Sequence, residues 1–100
     1  MRKGLLVLAV LQVIGSKRAY ATEILEALKV TEFATQEGTL YPLLSRLKRE
    51  GYIDHEWAES KNGPPRKYYK LSPDGIKRIK ELMSYIAKLQ KELTSLGGNR

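Results

Sequence analysis

Hydroxyl and basic side chains recur in the middle of the chain at spacings that place them on one face of a helix. Thr39, Tyr41 and Ser45 carry hydroxyls, and Arg46 and Arg49 follow with positive charge. Hydroxyl groups bond to phosphate oxygens or base edges, and arginine forms charge-assisted hydrogen bonds to phosphate. A solvated polar face is the alternative interpretation. Because hydroxyls and positive charge occur together, the pattern favours contact with a nucleic acid.

A second basic group surrounds the stiff tripeptide Gly63-Pro64-Pro65. It consists of Lys61, Arg66 and Lys67. Two prolines restrict the loop before it binds anything, which lowers the entropic cost of ordering it on a ligand. We expect this loop to follow the phosphate backbone of DNA beside the helix, at a minor groove. Without the neighbouring helix, a charged turn would more often serve solubility alone.

Side chains that usually carry catalysis are scarce. His55 is the only histidine and cysteine is absent, and we find neither a Gly-rich phosphate loop nor a nucleophile spaced from a base. We expect His55 to be an incidental polar residue of a strand. Trp57 could be an aromatic contact for a ligand, but we expect its strand to pack on the core. The sequence therefore predicts no enzyme, no cofactor and no metal site.

Composition and charge narrow the class of partner. The 100 residues contain 18 Lys and Arg against 11 Asp and Glu, a net charge of +7, and 42% of them are hydrophobic. This is enough for one folded domain, and a domain so basic attracts polyanions such as nucleic acids or anionic membrane surfaces. The lack of cysteine excludes disulfides and fits a reducing compartment, so we expect a cytoplasmic location.

The start of the chain imitates a secretory signal peptide. A basic beginning precedes the apolar run 5–10, and Ala19-Tyr20-Ala21 resembles a cleavage site. Gln12 interrupts the apolar run, however, and the charges of Lys17-Arg18 precede the supposed cleavage site. The run is also far shorter than the ~20 apolar residues that a membrane span needs. We therefore expect a helix buried on most sides, without a secretion signal or a membrane anchor.

Three helices are predicted in the first half of the chain. The first covers residues 3–14 and ends at Gly15, and the second covers residues 21–28. The third covers residues 36–50, with a leucine stripe facing the core at Leu40, Leu43, Leu44 and Leu47. Since proline lacks an N–H, Pro42 is expected near the first turn of the third helix. The N-cap of this helix is either Thr35 or Thr39.

A hairpin and a long helix are predicted to follow. Strands over residues 52–59 and 66–71 flank a turn at residues 60–65. Ser72-Pro73-Asp74 has the order expected of an N-cap, a first helical residue and a first-turn acid, so the last helix runs over residues 73–96. The fold class is α+β and mostly helical, a winged helix-turn-helix with a long C-terminal dimerisation helix. Residues 1–72 form the DNA-binding domain, and residues 97–100 form a flexible tail.

The last helix carries a second kind of signal. Apolar residues alternate three and four apart, the 3.5-residue period of a coiled-coil seam, at Ile79, Leu82, Ile86, Leu89, Leu93 and Leu96. The first helix adds apolar surface that includes Leu5 and Leu8. We expect these two helices to form a homodimer interface. Packing of the last helix on its own domain alone is the alternative.

Two motifs, together at this spacing, resemble the PadR family of transcriptional regulators. The first is Gly-Thr-Leu-Tyr-Pro-Leu-Leu-Ser-Arg-Leu at residues 38–47, followed by Gly51-Tyr52-Ile53. The second is Gly-Pro-Pro-Arg-Lys-Tyr-Tyr-Lys-Leu-Ser at residues 63–72, followed by Gly75. The resemblance covers the chain from about residue 5 to residue 96. With a single helix after the wing, the chain is similar to the short PadR subfamily.

The resemblance implies a dimer that binds palindromic operators in double-stranded DNA, usually as a repressor. It further implies that a small-molecule effector or another signal releases the DNA. It maps the DNA contacts onto Tyr41 and its neighbours and onto Lys61, Arg66 and Lys67, and the dimer contacts onto the first and last helices. A winged-helix protein–protein interaction module without specific DNA binding is the alternative function. A secreted or membrane-active basic protein is a further rival.

The chain departs from the family pattern at two points. Members often carry Gly-Tyr in the second helix where this chain has Ala19-Tyr20, and we expect this difference to alter local packing more than function. Some short members hold flat, lipophilic drugs with a tryptophan on the terminal helix. Since this chain has no tryptophan there, that activity is not implied.

Overall fold

The computed structural model of the protein describes residues 2–60 and 62–98. Within these residues, four helices and one two-stranded antiparallel sheet follow one another in the predicted order. Their bounds are α1 Arg2–Ser16, α2 Ala21–Lys29, α3 Glu37–Arg49, β1 Ile53–Ser60, β2 Gly63–Leu71 and α4 Pro73–Leu96. The predicted fold class, a mostly helical winged helix-turn-helix with a long C-terminal helix, is confirmed. No helix in the described part of the chain is both long and apolar enough to cross a membrane.

The core lies where α1, α2 and α3 meet the base of the hairpin. Its most buried large side chains are Val10, Leu11, Ile24, Leu40, Leu44 and Leu47. Ile53 of β1 and Tyr69 of β2 close this core from the hairpin side. The leucine stripe of α3 faces the core as predicted, so the opposite face of α3 is left to solvent.

Gly15 does not end α1, contrary to prediction. The helix continues to Ser16, and a Cβ atom at Gly15 would lie 2.9 Å from Cδ1 of Leu71 and 3.6 Å from Cδ1 of Ile79. The missing side chain at Gly15 therefore lets β2 and α4 approach α1 closely. Packing, not helix termination, accounts for glycine here.

The start of α3 also differs from prediction. Its N-cap is Gln36, with extended backbone and no side-chain capping bond, so neither Thr35 nor Thr39 has that role. The Gln36 carbonyl accepts the N–H of Thr39 at 3.0 Å. Pro42 lies inside the helix, beyond the first turn in which it was expected. Because proline has no N–H, it cannot donate the usual bond to the carbonyl of Gly38 four residues earlier.

The hairpin forms the wing, and its second strand begins earlier than predicted. Pairs run from Ile53–Leu71 to Ala58–Arg66, and Ser60 then pairs with Gly63. Pro64 and Pro65 therefore lie within β2, not in the turn, and both oppose the single residue Glu59. This is a β-bulge, where prolines are tolerated because the extra residue leaves the ladder of hydrogen bonds.

Ala19 adds a short third segment to the sheet. Its N–H donates to the Tyr69 carbonyl at 3.1 Å, and the Tyr69 N–H donates to the Ala19 carbonyl at 2.8 Å. Ala19-Tyr20 therefore precedes α2 and is not in the second helix, where the family comparison had placed it. Ala19 is buried against β2, so the loop before α2 is fixed to the wing.

α4 begins and ends where the sequence predicts. The Ser72 hydroxyl accepts the N–H of Gly75 at 3.0 Å, which confirms the predicted cap. With 24 residues the helix is about 36 Å long, yet Gly75 is its only buried residue. A Cβ atom at Gly75 would overlap the carbonyl oxygen of Tyr52. The first turn of α4 is therefore held against the segment that joins α3 to β1.

Candidate nucleic-acid interface

The polar face of α3 is open to solvent. Its five predicted contact residues, Thr39, Tyr41, Ser45, Arg46 and Arg49, are all exposed. They do not all point the same way. Thr39 lines an apolar depression with Leu5 and Phe33, and Arg46 lies towards α4 and pairs with Glu50 at 3.4 Å.

A concave surface of about 530 Å³ lies between the start of α2, the middle of α3 and the wing. It brings together Tyr41 and Ser45 of α3 with Arg66 and Lys67 of β2. The full set of residues that line it is Tyr20, Ala21, Thr22, Tyr41, Ser45, Trp57, Arg66, Lys67 and Tyr69. Four of the eight predicted DNA contacts thus share one surface, and Lys61 lies outside the described residues.

Arg66 is positioned by a stack of aromatic rings and guanidinium groups. Its Cζ atom lies 4.5 Å from the ring centroid of Tyr20, whose ring meets that of Tyr68 edge-on at 5.4 Å. The Cζ atom of Arg18 lies 4.6 Å from the ring centroid of Tyr68. We call these four residues the Tyr20–Arg66 stack. Cation–π attraction fixes the guanidinium over the ring while the N–H groups in its plane can still bind an anion.

Glu56 pairs with Arg18 and Lys70 on the same face of the hairpin as Arg66. Its carboxylate accepts a bond from Nη1 of Arg18 at 2.8 Å and lies 3.8 Å from Nζ of Lys70. The bond from Arg18, with the charge of Lys70, lowers the pKa of Glu56 below its usual value. Neither Arg66 nor Lys67 pairs with a carboxylate among residues 2–60 and 62–98. These two cations of β2 are therefore available to phosphate.

Tyr69 forms the floor of the concave surface. Its ring is buried in the core, as the alternation of β2 predicts. Burial raises the pKa of the Tyr69 hydroxyl, and negative charge on the nearby Tyr41 would raise it further. An ordinary tyrosine is already neutral at pH 7, and burial makes ionisation of the Tyr69 hydroxyl still less favourable.

Trp57 is exposed, so the prediction that it packs on the core is wrong. Its relative exposure is 64%, and Nζ of Lys67 lies 5.5 Å from its ring centroid. The strand alternation correctly places Ile53 in the core, but β1 extends past the core before it reaches Trp57. Alternation predicts on which face of the strand a residue lies, but it does not predict how far the strand extends beyond the core. The exposure of Trp57 could therefore not be read from the pattern.

His55 lies directly opposite Tyr69 in the hairpin. Its ring lies 6.4 Å from that of Tyr69, and its Nδ1 atom is buried without a hydrogen-bond partner in the described part of the chain. Within residues 2–60 and 62–98, no three His, Cys, Asp or Glu side chains form a group that could hold a metal ion.

Five of the nine residues that line the concave surface were not among the predicted DNA contacts: Tyr20, Ala21, Thr22, Trp57 and Tyr69. For Tyr20 a signal was available, since Lys17-Arg18 and Tyr20 form a second basic and aromatic cluster beside a predicted helix start. For Thr22 there was none, because its place depends on the Ala19–Tyr69 bridge.

The predicted dimer residues differ in how far their own chain covers them. Leu8 is buried at 7% exposure, and Leu5 is half-buried. In α4, Ile79, Leu82, Ile86 and Leu89 are half-buried. Leu93 and Leu96 are 69% and 85% exposed. The apolar seam is therefore partly covered at the start of α4 and open at its end.

Comparison with known proteins identifies the family. The sequence matches the model of the transcriptional regulator PadR-like family over residues 10–81. It is 41% identical to a PadR-like transcription factor from Bacteroides fragilis, with 96% of this chain and 93% of that chain covered and a TM-score of 0.85. Comparison with curated proteins found no match.

Two further solved structures agree. A transcriptional regulator from Streptococcus is 32% identical, with 96% of this chain and 95% of that chain covered and a TM-score of 0.85. A PadR-like transcriptional regulator from Bacillus cereus is 28% identical, with 98% and 96% covered and a TM-score of 0.86. The family match spans most of the chain, including α3 and the wing. This chain therefore belongs to the PadR-like family of transcriptional regulators, which bind DNA and are not enzymes.

Proposed function

We propose that this protein is a cytoplasmic repressor that binds a palindromic operator as a homodimer, with α3 in the major groove and the wing on the adjacent backbone. The observation that carries the proposal is the concave surface, on which Tyr41 and Ser45 of α3 lie together with Arg66 and Lys67 of the wing. A helix that contacts bases and a basic strand that contacts phosphates must face the same side of the protein to bind one DNA duplex together.

Sequence reading is assigned to α3. A helix fits the major groove, and residues near the N-terminus of a recognition helix usually reach base edges. Thr39, Tyr41 and Ser45 are exposed in the first three turns, so their hydroxyls are available to bases or phosphates. Arg49 follows in the last turn and is assigned to phosphate. Arg46 has a smaller part, because Glu50 already pairs with it.

Phosphate binding is assigned to Arg66 and Lys67. Each cation that neutralises a phosphate releases condensed counterions, so affinity falls steeply as salt rises. The Tyr20–Arg66 stack holds Arg66 in place before DNA arrives, which lowers the cost of ordering it in the complex. Lys61, outside the described residues, is assigned to the same role from the sequence alone.

The dimer is assigned to α1 and α4. A 24-residue helix with one buried residue needs another surface to cover its apolar side chains, and a second copy of the same helix presents the same seam. A symmetric dimer would place its two α3 helices about one helical turn of DNA (~34 Å) apart, or a multiple of it. Palindromy of the operator follows from this symmetry. Effector-controlled release of DNA is supported by the family resemblance alone.

The decisive experiment is selection of bound sequences from random duplexes at two salt concentrations. Enrichment of an inverted repeat whose affinity falls steeply with salt is the expected result. Weak binding without an enriched motif would contradict the proposal and favour a protein–protein interaction module. Transcription in vitro from a promoter that overlaps the selected repeat should then decrease when the protein is added, and an increase would identify an activator.

A further inference from the structure

Trp57 is a large aromatic residue in solvent on the side of the wing that faces α3. It lines the concave surface with Tyr41 and Ser45, although 64% of its surface is exposed. Isolated exposed apolar residues are common and need no special role. The position of Trp57 beside the cations of the wing is what requires an explanation.

Lys67 is the direct neighbour of Trp57 across the sheet. The two residues are paired in the register of β1 and β2, and Nζ of Lys67 lies 5.5 Å from the indole centroid. Side chains directly opposite each other in an antiparallel pair project on the same face of the sheet. The pair therefore presents an apolar ring and a positive charge side by side.

The DNA backbone offers the complementary pattern, since an apolar deoxyribose and an anionic phosphate alternate along it. We propose that Trp57 contacts DNA, with its indole against the deoxyribose beside the minor groove and Lys67 on the neighbouring phosphate. This inference rests on the proposed function and adds a contact residue to it. The indole N–H is a donor only and suits a phosphate oxygen as well.

The contact carries affinity and not sequence preference. Sugars and phosphates are the same at every base pair, so a residue that touches only them cannot distinguish one sequence from another. Tyr41 and Ser45, on the other side of the concave surface, remain the residues that face the bases. The wing then supplies a fixed contribution to binding at every site.

Intrinsic fluorescence tests the contact directly, because Trp57 is the only tryptophan of the chain. The protein is titrated with unlabelled duplex while emission and quenching by acrylamide are followed. Complex formation is measured in parallel by anisotropy of a labelled duplex. We expect a change in emission and a severalfold smaller quenching constant at saturation. Unchanged emission and quenching in a complex proved by anisotropy would overturn the inference and leave the proposed function intact.

Substitution gives the second test. Trp57→Ala should weaken binding about tenfold for the operator and for a random duplex alike, as expected for loss of one well-covered aromatic contact. Trp57→Phe keeps a ring and should lose less. Val30→Ala, at an exposed apolar residue outside the concave surface, is the matched control and should bind normally. Wild-type affinity of Trp57→Ala, or a loss confined to the operator, would contradict the backbone contact.

Discussion

The guanidinium of Arg66 lies over the ring of Tyr20, 4.5 Å from its centroid, so the basic wing touches the residue that precedes α2. The Ala19–Tyr69 bridge fixes the backbone of the same segment to β2. The helix-turn-helix and the wing are thus joined by a ring contact and by two hydrogen bonds. Their relative position is set before any DNA is bound.

Loss of Arg66 and Lys67, which pair with no carboxylate in the described part of the chain, should weaken binding to every sequence. In Arg66→Ala/Lys67→Ala the slope of log affinity against log salt should flatten by about 2, since each phosphate contact contributes about 0.9. Binding titrations at several salt concentrations measure this slope. Lys88→Ala, an exposed lysine of α4 outside the concave surface, removes charge without this effect. An unchanged slope in the double variant would exclude the wing from phosphate binding.

Tyr20 should matter for both stability and DNA affinity. Tyr20→Ala removes the ring contacts to Tyr68 and Arg66 and should lower the free energy of unfolding by about 1–2 kcal/mol. Its affinity for DNA should fall because Arg66 is no longer held in place. Tyr20→Phe keeps the ring and should resemble the wild type in urea unfolding and in DNA titration. Equal loss in both variants would mean that the hydroxyl, and not the stack, matters.

Acid should weaken the contact between the wing and the loop before α2. The folded pKa of Glu56 lies below its ordinary value of 4.5, chiefly because Arg18 donates a hydrogen bond to its carboxylate. The stabilisation is therefore complete above about pH 4.5 and is lost as the pH falls through the lowered folded pKa. Urea unfolding of the wild type and Glu56→Gln at several pH values should show a smaller acid loss in the variant. If the free energies of unfolding of the two proteins decrease in parallel as the pH falls, the loss of stability in acid does not come from Glu56.

Two glycines that both face close neighbours should respond differently to alanine. In Gly75→Ala the new methyl group meets the backbone carbonyl of Tyr52, and stability should fall by about 1–3 kcal/mol. In Gly15→Ala it meets Cδ1 of Leu71, the mobile end of a side chain, and better helix propensity offsets the small shift. Thermal unfolding at one protein concentration compares them. Similar melting temperatures would contradict the close approach at Gly75.

The exposed end of the α4 seam should decide the oligomeric state. Leu93→Glu places a charge at a side chain that is 69% exposed in the protomer, so the chain should fold and sediment as a monomer. Ile86→Glu should have the same effect on association. Ser95→Glu, on the opposite face of the helix, should sediment like the wild type. A Leu93→Glu dimer in sedimentation velocity would remove the coiled-coil argument.

Where local chemistry alone decides the structure, the sequence was sufficient. α4 has the predicted bounds because Ser72-Pro73-Asp74 supplies a cap, a preset backbone angle and a first-turn acid, and Ser72 does cap the helix. The stripe of Leu40, Leu44 and Leu47 is buried because three- and four-residue spacing fixes one helix face. Membership of the PadR-like family followed from motifs that keep their spacing.

The predictions failed where the structure around a residue depends on segments that are distant in the sequence. Gly15 is spaced like a helix stop, but Leu71 and Ile79, far along the chain, are the reason for glycine there. Trp57 alternates like a core residue, yet β1 extends past the core before it reaches Trp57, which is 64% exposed. For the site, α3 and the cations of the wing could be predicted, whereas the contribution of Tyr20 depends on a bridge between residues fifty positions apart.

The bulge at Pro64-Pro65 also makes the wing a poor site for strand pairing between two molecules. A protruding hairpin has strand edges on which a second molecule could add a strand and begin aggregation. Along the outer edge of β2, the backbone groups of Tyr69 are already bonded to Ala19. The two prolines near the tip of the wing have no N–H groups that could bond to another strand. The wing can therefore extend far enough to reach DNA while β2 remains a poor template for edge-to-edge association.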